Sequence, residues 1–263
     1  MQRLRFRFLV RGFAAALLGA VAAVGAAAAG EAPLRIAVAA NFKQTLDRLG
    51  AEFSSKTGEL APVVSAGATG LLYGQIVQGA PFDLFFAADR ERPQALEKAG
   101  LTVPGSRFTY AVGRLALWRP GQPWQGTLEQ ALSRGDVRVV SIANPGVAPY
   151  GLAARQVLEK LGFWAAPPFK VVQGESLGQA FQFVATGNAQ LGFISLAQVR
   201  EAGNPAMVGE ILEIDAALHD PIEQDAVLLK RAAGQPAARR FLDFVRSPAG
   251  RAIIAAAGYG SGQ

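Results

Sequence analysis

From Leu34 onward the chain alternates short apolar runs with amphipathic stretches several times over, without a long low-complexity linker. That alternation narrows the fold more than any other feature, because it reads as repeated βα units in which each strand is followed by a covering helix. Residues 34–40 are a buried-strand candidate, and Phe42, Leu46, Leu49 and Phe53 follow at helical spacing as far as Gly58. Further strands are expected at 61–65, 82–88, 110–118, 137–142, 169–172, 190–194 and 225–229. Between them the pattern predicts a helix holding Leu72 and Ile76, a helix capped by Asp89 and ending at Gly100, and helices over 151–161 and 177–186. Pro248 should split a closing helical region over 236–257. This order predicts an open α/β sheet with parallel strands and right-handed crossovers, with ligands bound past the carboxyl ends of the strands.

The segment 1–29 stands apart. Arg3, Arg5, Arg7 and Arg11 precede an apolar stretch over 13–24 and a small-residue run over 25–29, with no acidic residue among them. That is the order of a secretory signal peptide. The apolar stretch is alanine-rich and no stop-transfer charge cluster follows it, which disfavours a membrane anchor. Cleavage is expected near Ala29, leaving 234 of the 263 residues; four arginines leave with the segment, so the formal charge of +6 falls to +2. The remaining lysines and arginines are scattered, so no nucleic-acid partner is expected. The chain has no cysteine, which excludes disulfides, thiol nucleophiles, thiolate metal sites and the cysteine of a lipid anchor. A freely diffusing periplasmic protein is the expectation.

Four strand-to-helix turns share one chemical character. Residues 39–41, 67–70, 149–151 and 175–177 each place small or uncharged polar groups where a helix begins. A helix start leaves backbone N–H groups without partners and carries partial positive charge, so it can hold an anion without a cationic side chain. Small residues let a ligand approach the backbone. Taken singly, Asn41, Thr69 and Ser176 also read as ordinary N-caps.

The residues that carry a resemblance lie in the same turns. The run 65–89, SAGATGLLYGQIVQGAPFDLFFAAD, contains a G-A-P-x-D-L-F-x-x-A-D core, and A-A-N-F at 39–42, P-Y-G at 149–151, L-G-F-I at 191–194 and the closing FVRSPAGRAIIAAAGYG accompany it in order. In these the chain resembles the periplasmic molybdate-binding proteins of ABC importers, within the type II periplasmic solute-binding family, over nearly all of its mature length. The resemblance implies an α/β fold of two domains, with mixed sheets, helices on both faces and a two-strand hinge. It places the first domain at 31–108 plus 219–263 and the second at 109–218, with crossing strands near 109–114 and 211–221. It implies no cofactor and no cation site; the ligand is molybdate or tungstate, held as an oxyanion between the domains and delivered to a membrane permease. A monomer is expected, because a protein that opens, closes and shuttles gains nothing from an oligomer.

The family's contacts carry over position by position. Asn41 matches a residue offering side chain and backbone N–H, and Thr69 matches a serine doing the same. Tyr150 and Leu177 fall where backbone N–H groups at two helix starts are used; whether Tyr150 acts through its hydroxyl or its backbone stays open. Where some members have a tyrosine after the L-G-x-x run this chain has Ser195, a shorter group and a further candidate.

Rival readings lack their parts. His219 is the one histidine, so multi-histidine metal sites are excluded, and neither a G-x-G-x-x-G nor a G-x-x-x-x-G-K sequence supplies a nucleotide cradle. Asp83 reads as part of a strand-end turn. A receptor for another oxyanion such as sulfate, or a secreted α/β enzyme, are the alternatives. Sugar sites favour stacked aromatics, whereas Trp118, Trp124 and Trp164 are spread apart in sequence, and ferric sites want clustered tyrosines, of which only Tyr73, Tyr110, Tyr150 and Tyr259 exist. No catalytic constellation is expected.

Overall fold

A computed structural model describes residues 32–121, 126–201 and 210–262. The expected signal segment, its cleavage site and Trp124 lie outside the described residues. Residues Pro33–Gln263 form one compact unit built on two sheets.

The first sheet starts with the foreseen βα units. Strand β1 (Arg35–Ala39) leads through a 3₁₀ turn (Ala40–Phe42) into α1 (Lys43–Thr57), then β2 (Val63–Gly67), α2 (Thr69–Val77), β3 (Leu84–Phe86) and α3 (Glu91–Lys98). β1 pairs in parallel with both β2 and β3. The apolar positions of α1 turn inward as their spacing requires: Leu46, Leu49 and Phe53 are buried with Ile36, Val38, Phe86 and Phe241 in one cluster. Gly58, at φ 75°, ends α1 in the left-handed conformation and donates its N–H to Ser54 O.

The expected single strand over 110–118 is two strands in two sheets. β4 (Phe108–Gly113) belongs to the first sheet and β5 (Leu115–Arg119) to the second, with exposed Arg114 between them. β4 is buried at Tyr110, Ala111 and Gly113 and β5 along its whole length, so the apolar runs on either side of Gly113 and Arg114 read together as one strand. The expected division between domains at 108/109 therefore falls inside the pairing of β4, which continues to Gly113 opposite Ile222.

The second sheet has the order β7-β6-β8-β5-β9. It contains β6 (Val139–Ala143), β7 (Lys170–Gly174), β8 (Leu191–Ser195) and β9 (Glu210–Glu213), linked by α4 (Leu128–Leu132), α5 (Pro149–Lys160), α6 (Leu177–Ala185) and α7 (Leu196–Glu201). The chain then returns along β10 (Ile222–Leu228) to the first sheet, where α8 (Pro236–Arg246), α9 (Pro248–Ala256) and β11 (Gly260–Ser261) close it. Pro248 divides the last helices, as expected.

The strands are not all parallel. β10 runs antiparallel to β3 and β4, and β5 runs antiparallel to β8 and β9. A strand buried on both faces is an apolar run in either orientation, so composition could not reveal this. The mixed α/β architecture implied by the resemblance is the one observed. Elements absent from the sequence expectation are short: α4 is a single turn held by a capping box between Thr127 and Gln130, and α7 follows β8 without a turn residue.

Candidate functional site

The carboxyl ends of β1, β2, β6 and β7 deliver the four turns. Ala39 and Ala68, which precede the first two helix starts, lie in one buried cluster with Ala88, Ala148, Tyr150 and Leu177. Across this cluster the Gly70 N–H donates to the Val147 carbonyl at 2.9 Å, joining the start of α2 to the turn before α5. A Cβ on Gly178, in the first turn of α6, would lie 3.6 Å from the Cβ of Ala40. Three helix starts and the 3₁₀ turn thus meet, although they come from two sheets.

The five sequence candidates are all buried: Asn41, Thr69, Tyr150, Leu177 and Ser195 expose 3% or less of their surface. Thr69 is the first residue of α2, and its Oγ1 accepts the Ala88 N–H at 3.0 Å. Its acceptor side is used in tying α2 to the end of β3, which leaves the hydroxyl proton to donate. It is not the N-cap of its helix; Ala68 holds that place without a side-chain bond.

Asn41 does not cap a helix either. Its Nδ2 donates to Gln224 Oε1 at 2.9 Å and to Tyr259 Oη at 3.2 Å, while Tyr259 Oη donates to the Asn41 carbonyl at 2.7 Å. Both amide protons are therefore spent inside the protein. The side-chain half of the expected Asn41 contribution is thus committed within the protein.

Pro149 occupies the first position of α5, so Tyr150 supplies the first N–H of that helix. Its hydroxyl points away from the helix start, to the crossing strands. There it accepts from Gln224 Nε2 at 3.3 Å and also meets the Ser195 side chain and the Arg114 main-chain N–H. Burial, acting first, raises the phenol well above its ordinary range against these three hydrogen bonds. A Cβ on Gly113 would collide with the Tyr150 hydroxyl and lie 2.9 Å from Gln224 Nε2, so only glycine fits there.

Leu177 opens α6 behind Ser176, whose Oγ accepts the Gln179 N–H at 3.3 Å. The N-cap reading is right for Ser176. The Leu177 side chain packs in the core. Ser195 ends β8; its Oγ accepts the Ala197 N–H at 3.3 Å and it reaches Tyr150 rather than the helix starts. Asp89 stands one residue before Arg90, the N-cap of α3, and accepts the Arg92 N–H at 3.0 Å; burial raises its pKa against the Arg92 contacts. Asp83 is more than a turn residue: it is buried and accepts from the Arg35 N–H and from Arg231. His219 is buried, with Nδ1 2.7 Å from the Asp220 carbonyl.

Three polar residues behind the turns escaped the sequence reading: Tyr110, Gln224 and Tyr259. Tyr110 Oη lies 3.0 Å from both the Ala87 carbonyl and Gln224 Oε1. A readable signal existed for Gln224, a neutral amide next to the expected strand 225–229, at a position that is wholly buried. Among the described residues, no group of three or more His, Cys, Asp or Glu could hold a metal ion, and no helix is long and apolar enough to cross a membrane.

The chain is similar to known proteins. Residues 34–260 match the family model of the bacterial extracellular solute-binding proteins. The molybdate-binding protein ModA of Azotobacter vinelandii is 45% identical over 89% of this chain and 92% of its own length. Its namesake in Rhodobacter capsulatus is 44% identical, with 89% of each chain covered. The solved Azotobacter vinelandii periplasmic molybdate-binding protein superposes with a TM-score of 0.81 at 40% identity, covering 88% of this chain and all of that one. The sulfate-binding protein SubI from Mycobacterium tuberculosis H37Rv, 15% identical, shares the fold at a TM-score of 0.70 over 87% of this chain and 86% of that one. The chain belongs to the bacterial extracellular solute-binding proteins.

Proposed function

We propose that this chain is a periplasmic receptor that captures molybdate or tungstate and delivers it to an ABC importer. The observation that carries the proposal is the meeting of three helix starts and a 3₁₀ turn from two sheets, bridged by the bond from Gly70 to Val147. Names of relatives at 44–45% identity point to the same ligand. The anion would take main-chain N–H groups of Asn41, Thr69, Tyr150 and Leu177 and the Thr69 hydroxyl. Ser195 serves this site through Tyr150.

Molybdate, tungstate and sulfate are doubly charged and unprotonated at neutral pH, so they present acceptors only. A site whose residues include no carboxylate and offer N–H and O–H donors suits them. Hydrogen phosphate brings a proton that needs an acceptor, and the site supplies none. Sulfate is smaller, so a cleft sized for molybdate holds it with stretched bonds; losing one charge-assisted bond costs about 1.5–3 kcal/mol, or roughly tenfold to a hundredfold in affinity.

The segment 1–29 is removed on export in this reading, and the mature monomer diffuses to its permease. The two lobes divide at the passages between β4 and β5 and between β9 and β10, and they close on the anion by hinge motion. The protein acts by binding and release and performs no chemistry on its ligand. Elemental analysis of protein purified from the native periplasm tests this: molybdenum or tungsten near one atom per chain is expected, together with a mature N-terminus near residue 30. Stoichiometric phosphate with neither metal would refute it.

A further inference from the structure

Gln224 sits at the centre of the polar network and faces residues of both sheets. It lies on β10, the strand by which the chain returns from the second sheet to the first, where the pairing with β4 shifts register between Gln224 and Asp225. Such a bulge re-aims a side chain. The residue is wholly buried, and its amide reaches Asn41 and Tyr110 through Oε1 and Tyr150 through Nε2.

The directions of the bonds running from Tyr259 through Asn41 and Gln224 to Tyr150 follow from one carbonyl, while the single Tyr110 proton is shared between the Ala87 carbonyl and Gln224 Oε1. A carbonyl can only accept, so Tyr259 Oη must spend its proton on Asn41 O, 2.7 Å away. The Asn41 group 3.2 Å from Tyr259 Oη must then be the NH₂ end. That end, 2.9 Å from Gln224, needs an acceptor, which fixes Oε1 there and turns Nε2 toward Tyr150. A flipped Gln224 would set two donors against each other at Asn41. The Tyr150 oxygen consequently accepts from Gln224, and a second N–H reaches it from Arg114.

We propose that Gln224 is a positioning residue for the anion site, holding Asn41 of the first turn and Tyr150 of the third in register so that their side chains brace the hinge while their main-chain N–H groups serve the anion. The proposal rests on the anion-binding reading above and adds a division of labour to it. Neither the Asn41 amide nor the Tyr150 hydroxyl touches the ligand; Gln224 sets where their backbones stand. Removing Gln224 therefore weakens binding without deleting a ligand contact.

The test uses the full mature protein and the variants Gln224→Met, which keeps the volume without hydrogen bonds, Tyr150→Phe, and the pair together. Molybdate, tungstate, sulfate and phosphate are titrated calorimetrically, with melting temperatures measured without anion. Gln224→Met is expected to weaken molybdate binding at least tenfold, and the double variant to bind no more weakly than Gln224→Met alone, because both residues act through one brace. Independent, multiplying losses would overturn the proposal, since they mean a phenol that contacts the anion itself. A Gln224→Met affinity within twofold of the wild type would also overturn it, even with a lowered melting temperature.

If the wild type binds none of the four anions, the proposed function fails, and the brace is judged without ligand. Slow solvent exchange of the Asn41 side-chain amide protons in ¹⁵N-resolved spectra, lost in Gln224→Met, supports it. Equal exchange in both proteins overturns it.

Discussion

Gly70 donates its main-chain N–H to the carbonyl of Val147 at 2.9 Å, a bond that joins the helix following β2 in one sheet to the turn following β6 in the other. The approach is close enough that a Cβ on Gly70 would stand 3.1 Å from Val147 Cα and 3.2 Å from Val147 O. A methyl group at Gly70 would press on the Val147 backbone.

Gly70→Ala should therefore weaken molybdate binding about tenfold, equivalent to about 1.4 kcal/mol, by obstructing the closed arrangement. The anion-free protein should melt within about 2–4 °C of the wild type. Calorimetric titration and thermal unfolding measured side by side check this. Unchanged affinity would show that the contact plays no part in binding.

Thr69 separates a ligand contact from a structural one. Thr69→Val removes the hydroxyl that accepts from the Ala88 N–H and leaves that buried donor unpaired. Affinity should fall roughly tenfold to a hundredfold, at about 1.5–3 kcal/mol for one charge-assisted bond. Thr69→Ser keeps the hydroxyl and should stay close to the wild type. Equal loss in both variants would contradict a donor role.

The βα alternation was legible because helices and strands impose different periods on apolar residues, as Leu46, Leu49 and Phe53 show in α1. The switch between sheets at Gly113 and Arg114 was passed over, since two short apolar runs parted by two residues resemble one longer strand. Helix starts could be located from Gly, Pro and Ser positions, yet which side chains would point at a ligand could not. Asn41 and Tyr150 are the instructive cases: both occur where the family resemblance puts them, but their polar groups turn to Gln224, a partner 183 and 74 residues distant in sequence. Long-range partnerships of that kind leave no local pattern to read.

Phe42 couples the core to the site. Its ring lies 4.5 Å from Tyr110, 5.3 Å from Tyr259 and 6.1 Å from Phe86, between centroids. Phe42→Ala should cost about 3–5 kcal/mol of stability and loosen both tyrosines of the network. Leu71→Ala, at a position 47% exposed, should change stability by less than about 0.5 kcal/mol. Chemical denaturation compares the two; a Phe42→Ala loss as small as that of Leu71→Ala would contradict this packing.

The pH dependence follows from the buried phenols. Burial, ahead of the neighbouring Tyr259, Tyr150, Asp225 and Asp89, raises Tyr110, and burial likewise raises Tyr150. A raised phenol contributes stability that is full below its unfolded value of about 10 and is lost as pH climbs through the higher folded value. Between pH 7 and about 8.5 both groups stay protonated, folded or unfolded. Molybdate affinity should accordingly be flat over that interval, as titrations at successive pH values would show. A fall centred within it, and abolished by Tyr150→Phe, would mean that the phenol ionises early.

In the proposed function an acceptor-only anion is held by donors from two sheets. Titration of the mature protein with molybdate, sulfate and phosphate in parallel measures this most directly. The prediction is one tight molybdate site per chain, with sulfate at least tenfold weaker and phosphate weaker still. Sulfate or phosphate binding as tightly as molybdate would contradict it.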